Sequence, residues 1–171
     1  MTRVKRAAAA RPYAGDREIN LTRTVTTEGA MSEFHRYFKE NMEALGLPAP
    51  DSLFGSVQSG VATVTVLLAS IDKFGQRATI ADLIGAGTRL EKLGMIGTLS
   101  AAFYAGACIG SLAVATGRSL SGGASVADVL LYARVHHLHR PWLAAQLYRA
   151  PGIYRPKAAA RAAHRYTAIQ R

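Results

Sequence analysis

The chain of 171 residues has a formal net charge of +10 and a mean hydropathy of +0.08, too apolar for a disordered chain and too polar for a polytopic membrane protein. Its length allows one domain, and the single cysteine, Cys108, excludes an internal disulfide framework. The charge sits at the ends: residues 1–30 hold six Lys/Arg against three acids, and residues 156–171 hold Lys157, Arg161, Arg165 and Arg171 with no acid. Basic ends suit anionic lipid heads and nucleic acid equally, so charge alone selects no partner.

Residues 1–30 lack helical or strand periodicity and read as a disordered basic tail. Pattern starts at Met31, which makes Met31 the expected natural start and the preceding residues an over-long reading frame. The alanine run Ala7 to Ala10 is cut off by Arg11 and Pro12, short of the roughly 7–15 apolar residues of a secretory signal. From Ser32, a fair N-cap, the spacing of Phe34, Tyr37, Phe38, Met42 and Leu45 predicts an amphipathic helix ended by Gly46 and Pro48. Such a helix either lies on a membrane surface or packs on a body.

Residues 53–71 form an uncharged run with the length of a membrane span, weakened by Gln58 and several Ser/Thr; within it the Val alternation from Val61 to Val66 also suits a strand. Residues 72–92 are a charged connector with a short helix from Thr79 or Ile80 to Leu90. The run at 93–117 is uncharged, and small residues fill 15 of its 25 positions. Gly94, Thr98, Ala102, Gly106 and Gly110 recur every fourth residue, which on one helix would make a smooth stripe for close backbone approach in lipid. At about 1.5 Å per residue this run spans a hydrocarbon core of roughly 30 Å. The competing reading is a Gly/Ala-rich helix packed inside a helical bundle in water. Paired with 53–71, the stripe gives a helical hairpin with both ends on one side.

Beyond Gly117 the Gly/Ser-rich stretch is a break, and Ser125 with Asp128 makes a capping pattern that opens a helix to about Leu138. His136 and His139 share a face but lack a nearby acid or cysteine and make a poor metal site, better read as solvated or capping side chains. Trp142, Tyr148 and Tyr154 beside arginines suit an interfacial belt or an ordinary packed edge. The sequence has no P-loop, no G-x-S-x-G, no H-E-x-x-H and no cysteine pair, and Cys108 lacks an adjacent base. No enzyme activity, cofactor or metal is therefore expected.

The stretches FGSVQSGVATVTVLLASIDKFG, TRLEKLG, SAAFYAGACIGSLAVATGRSL and RPWL resemble small bacterial glycine-zipper hairpin proteins, similar to the pore-forming antibacterial effectors delivered by type VI secretion. The resemblance covers about Met31 to Pro156. It implies a homo-oligomer in the bilayer of a target cell's inner membrane, a secretion carrier and a cognate immunity protein. By position the zipper falls on Gly94, Ala102, Gly106 and Gly110, with Thr98 interrupting it. The expectation is an all-α chain of two membrane-competent helices with flanking amphipathic helices, acting as a membrane-inserting, pore-forming antibacterial toxin that disrupts membrane potential through the oligomerising stripe, with nucleic acid not expected as a partner. The alternatives are a harmless two-span protein of holin or scaffold type, and a soluble helical binding module whose basic tails contact nucleic acid.

Overall fold

A helix covered on every side runs through the middle of the molecule. The computed structural model describes residues 27–88, 90–118 and 124–169 and is all-α there, with two isolated β-bridges and no strand among the described residues. Expectations for residues 1–26, and for most of the break after Arg118, lie outside the described residues.

Helix α1, Thr27–Ala44, begins five residues before Ser32 and crosses Met31. It buries Phe34, Phe38 and Met42, and Phe38 stacks between Phe34 and Phe54 at centroid distances of 5.9 and 4.9 Å. Gly46 ends it at φ +68°, where a side chain is strained, and the amides of Gly46 and Leu47 donate back to Glu43 and Met42 at 2.8 and 3.0 Å. The same stop recurs after α6 with His137 at φ +58° in the glycine position: His137 and Leu138 amides return to Arg134 and Ala133 at 3.2 and 2.7 Å. His137 is thus part of a helix terminus.

The run expected as one span at 53–71 is split. Helix α2, Asp51–Phe54, stops at Gly55, and the reciprocal Ser56–Ser59 capping box opens α3, Val57–Phe74. Gly60, Val64, Leu67, Leu68 and Ile71 face inward while Val66 and Phe74 are 45% and 43% exposed, so α3 is an amphipathic helix and Val61 to Val66 is no strand. Thr79 caps the short α4, Ile80–Gly85, through a box with Asp82. Ser125 and Asp128 form the expected box that opens α6, Val126–Val135. Helix α7, Leu143–Arg149, and the short α8, His164–Thr167, complete the set.

The run at 93–117 is split as well. Leu93 and Gly94 belong to the 3-10 turn Glu91–Ile96, and α5 is Ala101–Arg118. Every residue from 101 to 115 is buried, against α1, α3, α6, α7 and the 3-10 turn Pro151–Ile153. A helix apolar on all faces is either a membrane span or the centre of a packed protein. Here the second holds, and no helix among the described residues is long and apolar enough to cross a membrane. Eighteen residues of α5 reach about 27 Å, and Gly, Ala, Ser and Thr dilute their hydropathy. This overturns the expected membrane spans, the inner-membrane location and the pore built from them.

The start of α5 is clasped from two sides. Ile80 and Ala101 amides pair with the carbonyls of Leu99 and Ala78 at 3.0 and 2.9 Å, and the Ser100 amide donates to the Ala168 carbonyl at 2.8 Å. The C-terminal stretch expected as a free tail therefore closes back on the body, with a bridge between Leu99 and Ile169.

Candidate functional site

From Val129 to the end of the chain there is no Asp or Glu, and eight Lys/Arg and four His occupy those positions. The elements made from this sequence are neighbours in space: α6 packs on α7, α7 on the turn Pro151–Ile153, and that turn on the 3-10 segment Arg161–Ala163. On the surface of these neighbouring elements the one described carboxylate is that of Asp128, engaged in the Ser125 capping box at the start of α6.

The cations of this surface divide into two groups. Arg140 turns outward from this surface to α3, where Nε and Nη2 meet the Asp72 carboxylate at 2.9 and 2.7 Å. Arg161 goes inward: Nε donates to the Gly152 carbonyl at 2.7 Å and Nη2 to Asn41 Oδ1. Asn41, 3% exposed, donates in turn to Ser111 Oγ on α5 at 2.8 Å and to the Ile153 carbonyl at 2.9 Å. Arg165 Nη1 donates to the Gly46 carbonyl at 2.7 Å. These three arginines hold the fold together. Arg134, Arg149, Arg155 and Lys157 are exposed and form no ion pair with any described carboxylate.

Aromatic rings alternate with the cations. Tyr148, next to Arg149, is 67% exposed, and Tyr166, next to Arg165, is 62% exposed with the Arg165 guanidinium 4.8 Å from its ring centre. Tyr154 is buried, its ring flanked by Arg155 at 5.7 Å, and Trp142 is half-buried against the core. Only Tyr148 of the three expected interfacial residues stands out in solvent.

The five residues of the expected stripe do not share one helix. Gly94 and Thr98 are exposed in the turn region before α5, whereas Ala102, Gly106 and Gly110 face other parts of the same chain. A Cβ on Gly106 would meet Gln146 Cγ of α7 at 3.3 Å, and one on Gly110 would collide with Ile153 Cγ2. The small residues make room for neighbouring elements of one protomer. Cys108 and Tyr104 lie one turn apart on α5, and burial pushes both the thiol and the phenol up in pKa, which keeps the Cys108 thiolate out of reach. Tyr104 Oη donates to the Pro48 carbonyl at 2.8 Å. Among the described residues no group of three His, Cys, Asp or Glu is placed to hold a metal.

Sequence reading missed the Asn41–Ser111–Arg161 cluster. One signal for it was present: Asn41 stands between Phe38 and Met42 on the apolar face of α1, where a polar residue needs a partner. Comparison with known proteins finds no matching protein-family model, no matching curated protein and no matching solved structure. The resemblance to glycine-zipper effectors rests on the quoted residues alone.

Proposed function

We propose that the chain is a helical binding module that holds single-stranded nucleic acid on its basic C-terminal surface. The observation that carries this reading is the set of four exposed cations, Arg134, Arg149, Arg155 and Lys157, on packed neighbouring elements, none of them ion-paired with a described carboxylate. Cations without a carboxylate partner draw in a polyanion and release its counterions. The exposed rings of Tyr148 and Tyr166 beside arginines add faces on which bases stack, a feature that a bare lipid headgroup surface does not require.

The test is fluorescence anisotropy of the full chain with a labelled single-stranded oligonucleotide across salt concentrations. Four phosphate contacts predict a slope of log K on log salt of about −3, hence an affinity loss of about 50-fold between 50 and 200 mM. Replacing the four cations together by Met is expected to abolish binding while leaving the melting transition in place. Absent or salt-independent binding overturns the reading, and so does co-sedimentation with anionic vesicles without any binding of the oligonucleotide.

A further inference from the structure

One recess in this surface has a size and a lining that fit a single chemical group. It lies between the start of α5, the end of α7 and α8, has a volume of about 150 Å³, and is lined by Ser100, Phe103, Gln146, Arg149, Ala150 and Thr167 among others. Pockets for drug-sized molecules begin at roughly 300 Å³, so this recess admits a small polar group and excludes a nucleoside. Its donors are uncommitted. Among the described residues Arg149 makes no ion pair and the Gln146 side chain has no hydrogen-bond partner. Ser100 is 6% exposed, and its hydroxyl accepts the Phe103 amide at 3.3 Å but donates its own proton to nothing among the described residues. Thr167 differs: its hydroxyl proton goes to the His164 carbonyl at 2.8 Å, so that oxygen can only accept. No described carboxylate lines the recess.

We infer that this recess is a phosphate seat, in which the Arg149 guanidinium, the Gln146 amide and the Ser100 hydroxyl donate to the oxygens of a phosphate monoester. A guanidinium presents paired donors that match two oxygens of a tetrahedral oxyanion, and the two neutral donors orient the third without adding charge. Thr167 Oγ1 accepts from a protonated oxygen or a retained water. The occupant is a terminal phosphate. A terminal phosphate brings three free oxygens to the three donors, whereas an internal phosphodiester, with a sugar on both sides, offers two. A terminal monoester also carries about −1.5 to −2 charges at pH 7, against one for an internal phosphate. This rests on the nucleic-acid reading for the source of the phosphate but not for the seat itself.

Two measurements on the full chain separate seat from source. In the first, inorganic phosphate is titrated at constant ionic strength and followed at the Gln146 side-chain amide and Arg149 Nε by nitrogen-15 NMR. A saturable shift at both groups is expected, weakened at least tenfold in Arg149→Met and in Gln146→Leu and unchanged in Arg155→Met. A shift that does not saturate, or that survives in Arg149→Met and Gln146→Leu, with their melting transitions intact, overturns the seat. In the second, 5′-phosphorylated, 3′-phosphorylated and unphosphorylated forms of one single strand are compared. One terminal phosphate is expected to tighten binding about fivefold, and Gln146→Leu, which leaves the net charge unchanged, to erase that gain. Equal binding of all three forms overturns the terminal phosphate as occupant. Saturable inorganic phosphate binding with no binding of any strand overturns the nucleic-acid reading and leaves the seat to free phosphate.

Discussion

Helix α5 and the C-terminal stretch 156–169 are held in the molecule by opposite means. Residues 101–115 are all buried, whereas no residue of 156–169 is. The helix is fixed by volume, since small residues let α1, α3, α7 and the 151–153 turn approach closely and larger ones such as Leu112 fill what remains. The stretch is fixed by direction, through Arg161 on Asn41 and Gly152, Arg165 on Gly46, and the Ser100–Ala168 amide bond. Packing tolerates no added atom, while a polar clamp tolerates bulk but not the loss of a donor. Holding a basic segment at the surface requires the second kind of attachment, because burying its charges is far more costly than bonding a few of them to carbonyls.

The largest effects follow from volume. Leu112→Ala is expected to cost about 2–5 kcal/mol, since Leu112 is wholly buried beside Gly60 and leaves a void that α3 and α5 close only in part. Gly110→Leu runs into Ile153 and is expected to cost at least about 3 kcal/mol, with loss of the folded protein as one readout. Urea unfolding of both variants checks this. If Gly110→Leu folds with its stability unchanged, α5 is not a packed centre and the contrast fails.

A second test removes direction. Arg161→Ala leaves the acceptor of a buried Asn41 short of its donor, for an expected cost of about 1–3 kcal/mol. Limited proteolysis is expected to cut first within 156–169, with α5 still protected. Arg161→Lys is expected to recover only part of the loss, because an ammonium does not span Asn41 and Gly152 as the guanidinium does. Cleavage at equal rates in α5 and the stretch would show that the two unfold as one unit.

Much of this was open to sequence reading where a local rule decides the outcome. The Ser125–Asp128 and Thr79–Asp82 boxes, the stop at Gly46 and the face formed by Phe34, Phe38 and Met42 need only neighbouring residues. The centre was not legible for a physical reason. Once every face of a helix is covered, the polar stripe that distinguishes packed from membrane helices disappears. The four-residue repeat from Gly94 to Gly110 then looks like one stripe, although the bridge of Leu99 and Ser100 to Ala78, Thr79 and Ala168 interrupts the helix between Thr98 and Ala102. That interruption is long-range, and no window of the sequence contains it. The candidate site was half legible: the absence of acids can be counted, but which arginines go inward depends on Asn41 lying across the fold.

Titration offers a third contrast of intermediate size. In the folded chain Cys108 and Tyr104 have pKa values raised chiefly by burial, against unfolded values of about 8.5 and 10. Above those values the unfolded state binds fewer protons than the native state, so stability falls as pH rises, by about 1.4 kcal/mol per pH unit for each group past its unfolded value. The onset of the alkaline loss therefore belongs to α5, with Tyr132 of α6, whose phenol burial also raises, joining Tyr104 above about pH 10, and Cys108→Ala is expected to move that onset from about pH 8.5 to about pH 10. An onset that does not move would assign the loss to other groups.

The smallest effect is the one that separates packing inside one protomer from a zipper between copies. A zipper uses its small residues alike, so adding a methyl at any of them should be costly. In this fold the cost is graded by what each glycine faces. At Gly94 nothing lies within 4 Å of the added Cβ, and Gly94→Ala is expected to leave stability within about 0.5 kcal/mol. At Gly106 the one tight contact of the Cβ is Gln146 Cγ at 3.3 Å, on a flexible side chain, with Leu143 Cδ1 at an ordinary 3.8 Å, while alanine in a helix interior gains about 0.5–1 kcal/mol over glycine. Gly106→Ala should therefore be neutral or slightly stabilising, in contrast to the collision at Gly110. Because Gln146 also lines the recess beside Arg149, the same methyl is expected to displace its amide and weaken inorganic phosphate binding while the melting temperature holds or rises. Equal destabilisation at Gly94, Gly106 and Gly110 would contradict the packing described for α5; a graded response with phosphate binding altered at Gly106 alone would tie the central helix to the surface that the basic stretch forms.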